Sequence, residues 1–134
     1  MRLVLRHTLA PGDGAALATL LADLGWDKRN DADHAEALLR GATWFTLAEA
    51  DSRLVGYVRA LSDRIAVTYL AELGVSGAYR RRGIGSALLA AAVTEFGRTV
   101  IYADAAPEAV PLLARHDIRA RPEHLIACAR QPSP

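Results

Sequence analysis

The chain has 134 residues, 51% hydrophobic and 23% charged, and its 16 lysines and arginines face 15 aspartates and glutamates. That size and balance predict one domain, 1–134, folded on an apolar core that needs neither disulfide nor metal. The even charge excludes the broad basic field of a nucleic-acid binder, and the longest apolar run, 87–93, is far below the ~20 residues that cross a bilayer.

Residues 2–7 set Leu3 and Leu5 against Arg2, Val4 and Arg6 and predict a first strand. Pro11, Gly12 and Gly14 break it. Leu17, Leu20, Leu21 and Leu24 then recur at helical spacing, one apolar stripe that Gly25 ends. Asp31 or Asp33 caps a second short helix bearing Ala35, Leu38 and Leu39, closed by Gly41. Residues 43–48 and 54–61 are β-rich runs separated by a polar cluster, which predicts a hairpin. Residues 62–64 supply the next turn and 65–75 another strand. Ile84, Leu88, Leu89, Ala92, Val93 and Phe96 share a helical face that stops at Gly97. Residues 99–103 read as a short buried strand, 107–115 as a helix opened by Pro107 and weakened by Pro111, and 118–129 as one or two last strands around Pro122. Residues 131–134 read as a frayed tail.

The order β-α-α-β-β-β-α-β-α-β makes the three consecutive strands antiparallel, and gives a parallel, right-handed crossover from 65–75 to 99–103. The expected class is α/β: a mixed, largely antiparallel central sheet flanked by helices on both faces.

The chemistry concentrates in Leu73-Gly74-Val75-Ser76-Gly77-Ala78-Tyr79-Arg80-Arg81-Arg82-Gly83-Ile84-Gly85-Ser86. A strand ends near Val75 and a helix begins inside 83–86, so free backbone N–H groups and the positive end of the helix dipole meet there. Gly83 and Gly85 let an anion approach the backbone, and Arg80, Arg81 and Arg82 add charge that a bare helix start would disfavour. A pyrophosphate site is the physical reading. A Walker A loop needs a lysine that is missing after Gly85, and a dinucleotide fingerprint needs Gly or Ala where Leu88 stands.

What remains, Arg-x-x-Gly-x-Gly at 80–85 preceded by Leu73-Gly74-Val75, resembles the acetyl-CoA pyrophosphate motif of the GNAT N-acetyltransferase superfamily. The resemblance covers about 3–118. It implies an acyl-CoA N-acyltransferase fold and acetyl-CoA as cosubstrate, held by Leu73, Gly74, Val75, Arg80, Arg81, Arg82, Gly83, Ile84, Gly85 and Ser86. The pantetheine arm would pair with main chain of Leu73 and Val75 in a gap between strands 65–75 and 99–103. A backbone N–H near Gly74 or Val75 would polarise the thioester carbonyl, and an amine would attack directly.

Two proton transfers need owners. Glu72, on the strand lining the gap, is the candidate for the amine proton, with a salt-bridged strand residue as the alternative reading; Asp104 is a weaker one. The last family motif usually places Tyr, Gly and Phe where this chain has Leu113, Asp117 and Ile118. Leucine cannot protonate the leaving thiolate, so Tyr102, His116 or water takes that role. His7, His34 and His124 are isolated, so no metal site is expected. Trp26 and Trp44 are either core residues or walls of an acceptor pocket. Asp27, Asp31 and Asp33 make an acidic loop that attracts a cationic amine or merely starts a helix.

The leading functional expectation is acetyl transfer to a primary amine of a small molecule, with no nucleic-acid or membrane partner and a homodimer left open. The alternatives are transfer to a protein amine, or an acyl-CoA-binding module with little turnover, motivated by Leu113. One cysteine, Cys128, and no secretory leader fit a cytoplasmic protein.

Overall fold

A computed structural model describes residues 1–26 and 31–134. Five strands, β1 (Leu3–Arg6), β2 (Trp44–Ala50), β3 (Arg53–Ser62), β4 (Val67–Val75) and β5 (Val100–Ala103), form one sheet in the order β1-β2-β3-β4-β5. Every pairing is antiparallel except β4 with β5, which is parallel across the predicted crossover. Helices α1 (Asp13–Leu24) and α2 (Ala32–Gly41) cover one face and α3 (Ile84–Phe96) the other, with a short α4 (Val110–Arg115) beside α3.

Local chemistry accounts for most boundaries. The β2–β3 turn is the pair Asp51-Ser52, both at positive φ (54° and 60°), the backbone that a two-residue hairpin requires. In the β3–β4 turn, Asp63 Oδ1 accepts the N–H groups of Ile65, Ala66 and Val67 at 2.8–3.0 Å. Those bonds take Ile65 and Ala66 into the turn, so the predicted strand starts at Val67 rather than 65. Gly25 caps α1 in the left-handed conformation, and Asp31, not Asp33, caps α2 by accepting the His34 N–H at 2.7 Å.

The sheet separates two cores. Leu17, Leu20, Leu21 and Leu39 pack on Phe45, Leu47 and Tyr57 beneath α1 and α2. Val55, Val58, Ala60 and Leu70 pack on Ile84, Leu88, Leu89 and Phe96 beneath α3.

Two expectations fail near the C-terminus. Residues 107–115 split into a 3-10 turn (Pro107–Ala109) and α4, because Pro111 lacks the N–H of a continuous first turn. No strand forms over 118–129: beyond Ile118 the side chains are exposed, and Pro122 removes a ladder donor from a segment rich in charge.

Candidate active site

The feature that creates a site is a divergence of β4 from β5. Their pairing stops at Leu70 opposite Ala103, while β4 continues to Val75. Ala71 is a bulge: Arg59 pairs with Glu72 and Ala60 with Leu70, so one β4 residue has no opposite number. Ser76 N–H donates to Val55 O at 2.7 Å in register with that ladder, and antiparallel pairs alternate between bonded and non-bonded. The N–H and C=O of Gly74 therefore turn toward β3, and those of Leu73 and Val75 toward the gap. Of the two positions expected to offer a donor, Gly74 and Val75, it is Val75 whose N–H faces the gap.

Two hollows open along this edge. One, about 490 Å³, is lined by Trp26, Glu72, Leu73, Asp104, Glu108 and Leu113 among others. The second, about 350 Å³, is lined by Arg80, Arg81, Ile84, Ser86, Leu112 and Arg115 among others. They share Leu73, Gly74, Val75, Arg80, Glu108 and Ala109, so they form one trough with an acidic end and a basic end.

The basic end is the start of α3. Its N-cap, Gly83, sits at φ 81° with no side-chain cap, and the first intrahelical bond runs from Ala87 N–H to Gly83 O. The N–H groups of Ile84, Gly85 and Ser86 thus point out of the helix beside Arg80 and Arg81, as an anion site requires. Arg81 itself is at φ 62°, a left-handed conformation costing roughly 1 kcal/mol for a non-glycine. A Cβ on Gly83 would meet nothing within 4 Å, whereas one on Gly85 would meet Leu112 Cδ2 at 3.1 Å. Space for a phosphate is thus compatible with the turn, and a side chain at 85 would crowd Leu112 of α4. Arg82 turns away, its guanidinium 5.1 Å from the Tyr79 ring centre, and lines neither hollow.

At the acidic end Glu72 is anchored. Tyr57 O–H and Arg59 Nε–H, the latter at 2.6 Å, both donate to Glu72 Oε1. Glu72 is thus the salt-bridged strand residue of the alternative reading, and it also lines the first hollow. Asp104 accepts from Tyr69 O–H at 2.8 Å, a bond that raises the Tyr69 phenol above its ordinary value. Trp26 is no core residue; at 47% exposure it lies against Gly74, where a Cβ would come within 2.9 Å of its ring. Trp44 instead packs between His7 and Phe96, away from the trough.

The sequence matches the family model of the GNAT acetyltransferases over residues 15–117. The chain belongs to the GNAT family. It is thereby an acyl-CoA-dependent N-acyltransferase. No curated protein matches it in sequence. Among solved structures it is similar to a protein of Deinococcus radiodurans R1 described as a candidate acetyltransferase, with 25% identity, TM-score 0.79, and coverage of 93% of this chain and 87% of that one. It is also similar to the ribosomal-protein-alanine N-acetyltransferase of Brucella melitensis biovar Abortus 2308 (26%, TM-score 0.68, 97% and 100% covered). The fold further matches the aminoglycoside N-acetyltransferase AAC(6')-Iy in complex with CoA (17%, TM-score 0.69, 97% and 96% covered).

Against the GNAT motif, Leu113 does line the trough, at 7% exposure. Asp117 takes φ 63° just past α4, and Ile118 N–H bonds back to Leu113 O at 3.0 Å, a helix end that the motif's glycine suits. Neither proposed substitute for the missing acid lines either hollow. Tyr102 stands opposite Tyr69 with the Arg121 guanidinium 5.1 Å from its ring centre. His116 Nε2 lies 2.9 Å from Ser86 Oγ in a hydrogen bond that ties α4 to the first turn of α3. Of the acidic loop, Asp31 caps α2, Asp33 is exposed in its first turn, and Asp27 lies outside the described residues. Sequence reasoning missed Leu112 and Arg115, which line the trough through helix packing, and Tyr57 and Arg59, which lie outside it and reach Glu72 only through sheet register.

Proposed function

We propose that this chain, acting as one domain in the cytoplasm, moves the acetyl group of acetyl-CoA to a primary amine of a small molecule. The observation that carries the reading is that the edge of β4 left unpaired by β5, 71–75, and the exposed N–H groups at the start of α3 line one continuous trough. The pantetheine amides pair with Leu73 and Val75 main chain, and the pyrophosphate rests on Ile84, Gly85 and Ser86 N–H beside Arg80, Arg81 and Arg115. A main-chain donor on this edge, Val75 N–H by the ladder's alternation, stabilises the oxyanion by about 3 kcal/mol.

The amine nitrogen forms the new C–N bond as the C–S bond breaks, and CoA leaves as thiolate. The amine's surplus proton passes to Glu72, directly or through one water, and solvent protonates the thiolate, since no acid side chain stands at 113. With Glu72 paired to Arg59, Asp104 and Glu108 still outnumber Arg80 at this end of the trough, which favours a cationic acceptor over an anionic one. Trp26 walls that end.

The test has two arms. Acetyl-CoA at millimolar concentration should raise the melting temperature, as any ligand of the native state does; an unmoved midpoint overturns the cosubstrate assignment. Thiol release from acetyl-CoA should then appear with small primary amines, and binding without release for any amine would leave an acyl-CoA-binding protein in place of a transferase.

A further inference from the structure

Glu72 is gripped from beneath by two residues of the neighbouring strand. Tyr57 is fully buried in the core under α1, and its hydroxyl donates to Glu72 Oε1. Arg59, paired with Glu72 across the sheet, donates Nε–H to that same oxygen at 2.6 Å. Oε2 receives no hydrogen bond from the described residues, and the 23% of the side chain left exposed belongs to a residue that lines the trough. Burial first, and then the bond to Glu72, pushes the Tyr57 phenol far above its ordinary value, so it remains a donor at working pH.

We propose that Tyr57 and Arg59 are positioning residues for deprotonation of the acceptor amine: by saturating Oε1 they lock the carboxylate and leave Oε2 as the oxygen that takes the proton. The inference rests on the reading of Glu72 as that base. Neither Tyr57 nor Arg59 lines the trough, so any effect on chemistry passes through Glu72. General bases act through geometry as much as through basicity, and a 1 Å misplacement costs up to ~10²-fold in rate. A cross-strand pair that merely staples β3 to β4 would affect stability alone.

A double-mutant cycle separates the two roles, with acetyl-CoA and n-butylamine, 1,4-diaminobutane or benzylamine as probes, whichever releases thiol fastest. Glu72→Gln is expected to lower kcat about 10²-fold. Tyr57→Phe and Arg59→Met should each lower kcat about tenfold, with the KM for acetyl-CoA within about twofold of the parent. In the Glu72→Gln background neither change should lower kcat further, because there is no base left to position. Arg59→Lys, which keeps a cation and a donor, should recover most of the loss. Calorimetric binding of acetyl-CoA verifies that each variant is folded, with Arg59→Gln in reserve for Arg59→Met.

The proposal is overturned if the β3 variants lower only the melting temperature, or lower kcat equally with and without Glu72. Full activity of Glu72→Gln would instead remove the base itself, and the positioning role with it. Thiol release with none of the amines would overturn the small-amine acceptor reading on which both rest.

Discussion

By the resemblance to the GNAT motif, Leu113 falls where a proton-donating tyrosine is usual, and its side chain belongs to both the α3-side core and the wall of the trough. A tyrosine there would extend its hydroxyl from a position already close-packed, at about 1–3 kcal/mol of stability. Leu113→Tyr is expected to bind acetyl-CoA as the parent does, melt at a lower temperature and release thiol up to about tenfold faster in single-turnover kinetics. An unchanged rate in a folded, binding variant would show that protonation of the thiolate does not limit turnover. In the same assay Tyr102→Phe should stay within a few-fold of the parent, since its ring sits by Arg121 outside the trough. His116→Ala should retain turnover too. It should nonetheless weaken acetyl-CoA binding a few-fold, because His116 bonds to Ser86 in the turn proposed to hold the phosphates.

At the scale of elements, the start of α3 and the length of α4 form one device, since Gly85 faces Leu112. A valine at 85 would crowd Leu112 Cδ2 and place side-chain atoms over the backbone N–H groups at the start of α3. Gly85→Val should therefore lower acetyl-CoA affinity at least tenfold by calorimetry, about 1.4 kcal/mol. Arg98→Ala, exposed beyond the far end of the helix, should leave affinity unchanged. Equal affinities would show that the turn holds no phosphate. These elements differ in how plainly they could be read from the chain. The leucine stripe of α1, the glycine stops and the turn at 80–86 write their periodicity and backbone demands locally, so their positions were legible. The bulge at Ala71 was not, because it exists only as a mismatch between two strands. Tyr57 read as a β-strand residue, and nothing local says that its hydroxyl reaches Glu72 on another strand. The last strands failed for the opposite reason: residues 118–129 have apolar positions, but Pro122 and the charges around it keep them off the open edge of β5, and a strand is stabilised by its partner.

Across the whole molecule, the trough depends on α1 staying against the sheet, since Leu24 and Trp26 at its far end supply one wall. The near end of α1 is fixed by charge. Arg6, at the end of β1, donates to both Asp13 carboxylate oxygens at 2.6 and 2.8 Å and also to Glu49 on β2. Asp13 is 6% exposed and also accepts the Ala10 N–H at 2.7 Å. The bond from Arg6 holds the Asp13 carboxyl below its ordinary value, outweighing the burial that would raise it. A carboxyl depressed in the folded state contributes stability above its unfolded pKa, about 3.9, and loses it as pH falls through the folded value. Asp13→Asn keeps the acceptor for Ala10 but not the charge facing Arg6. It should cost about 2 kcal/mol at pH 7 by urea unfolding. The difference from the parent should stay constant down to about pH 5 and shrink below about pH 4, where the unfolded parent chain takes up the proton that the folded carboxylate, held lower by Arg6, still refuses. A gap of constant size down to pH 2 would show that packing of the side chain, and not its charge, fastens α1 to the sheet.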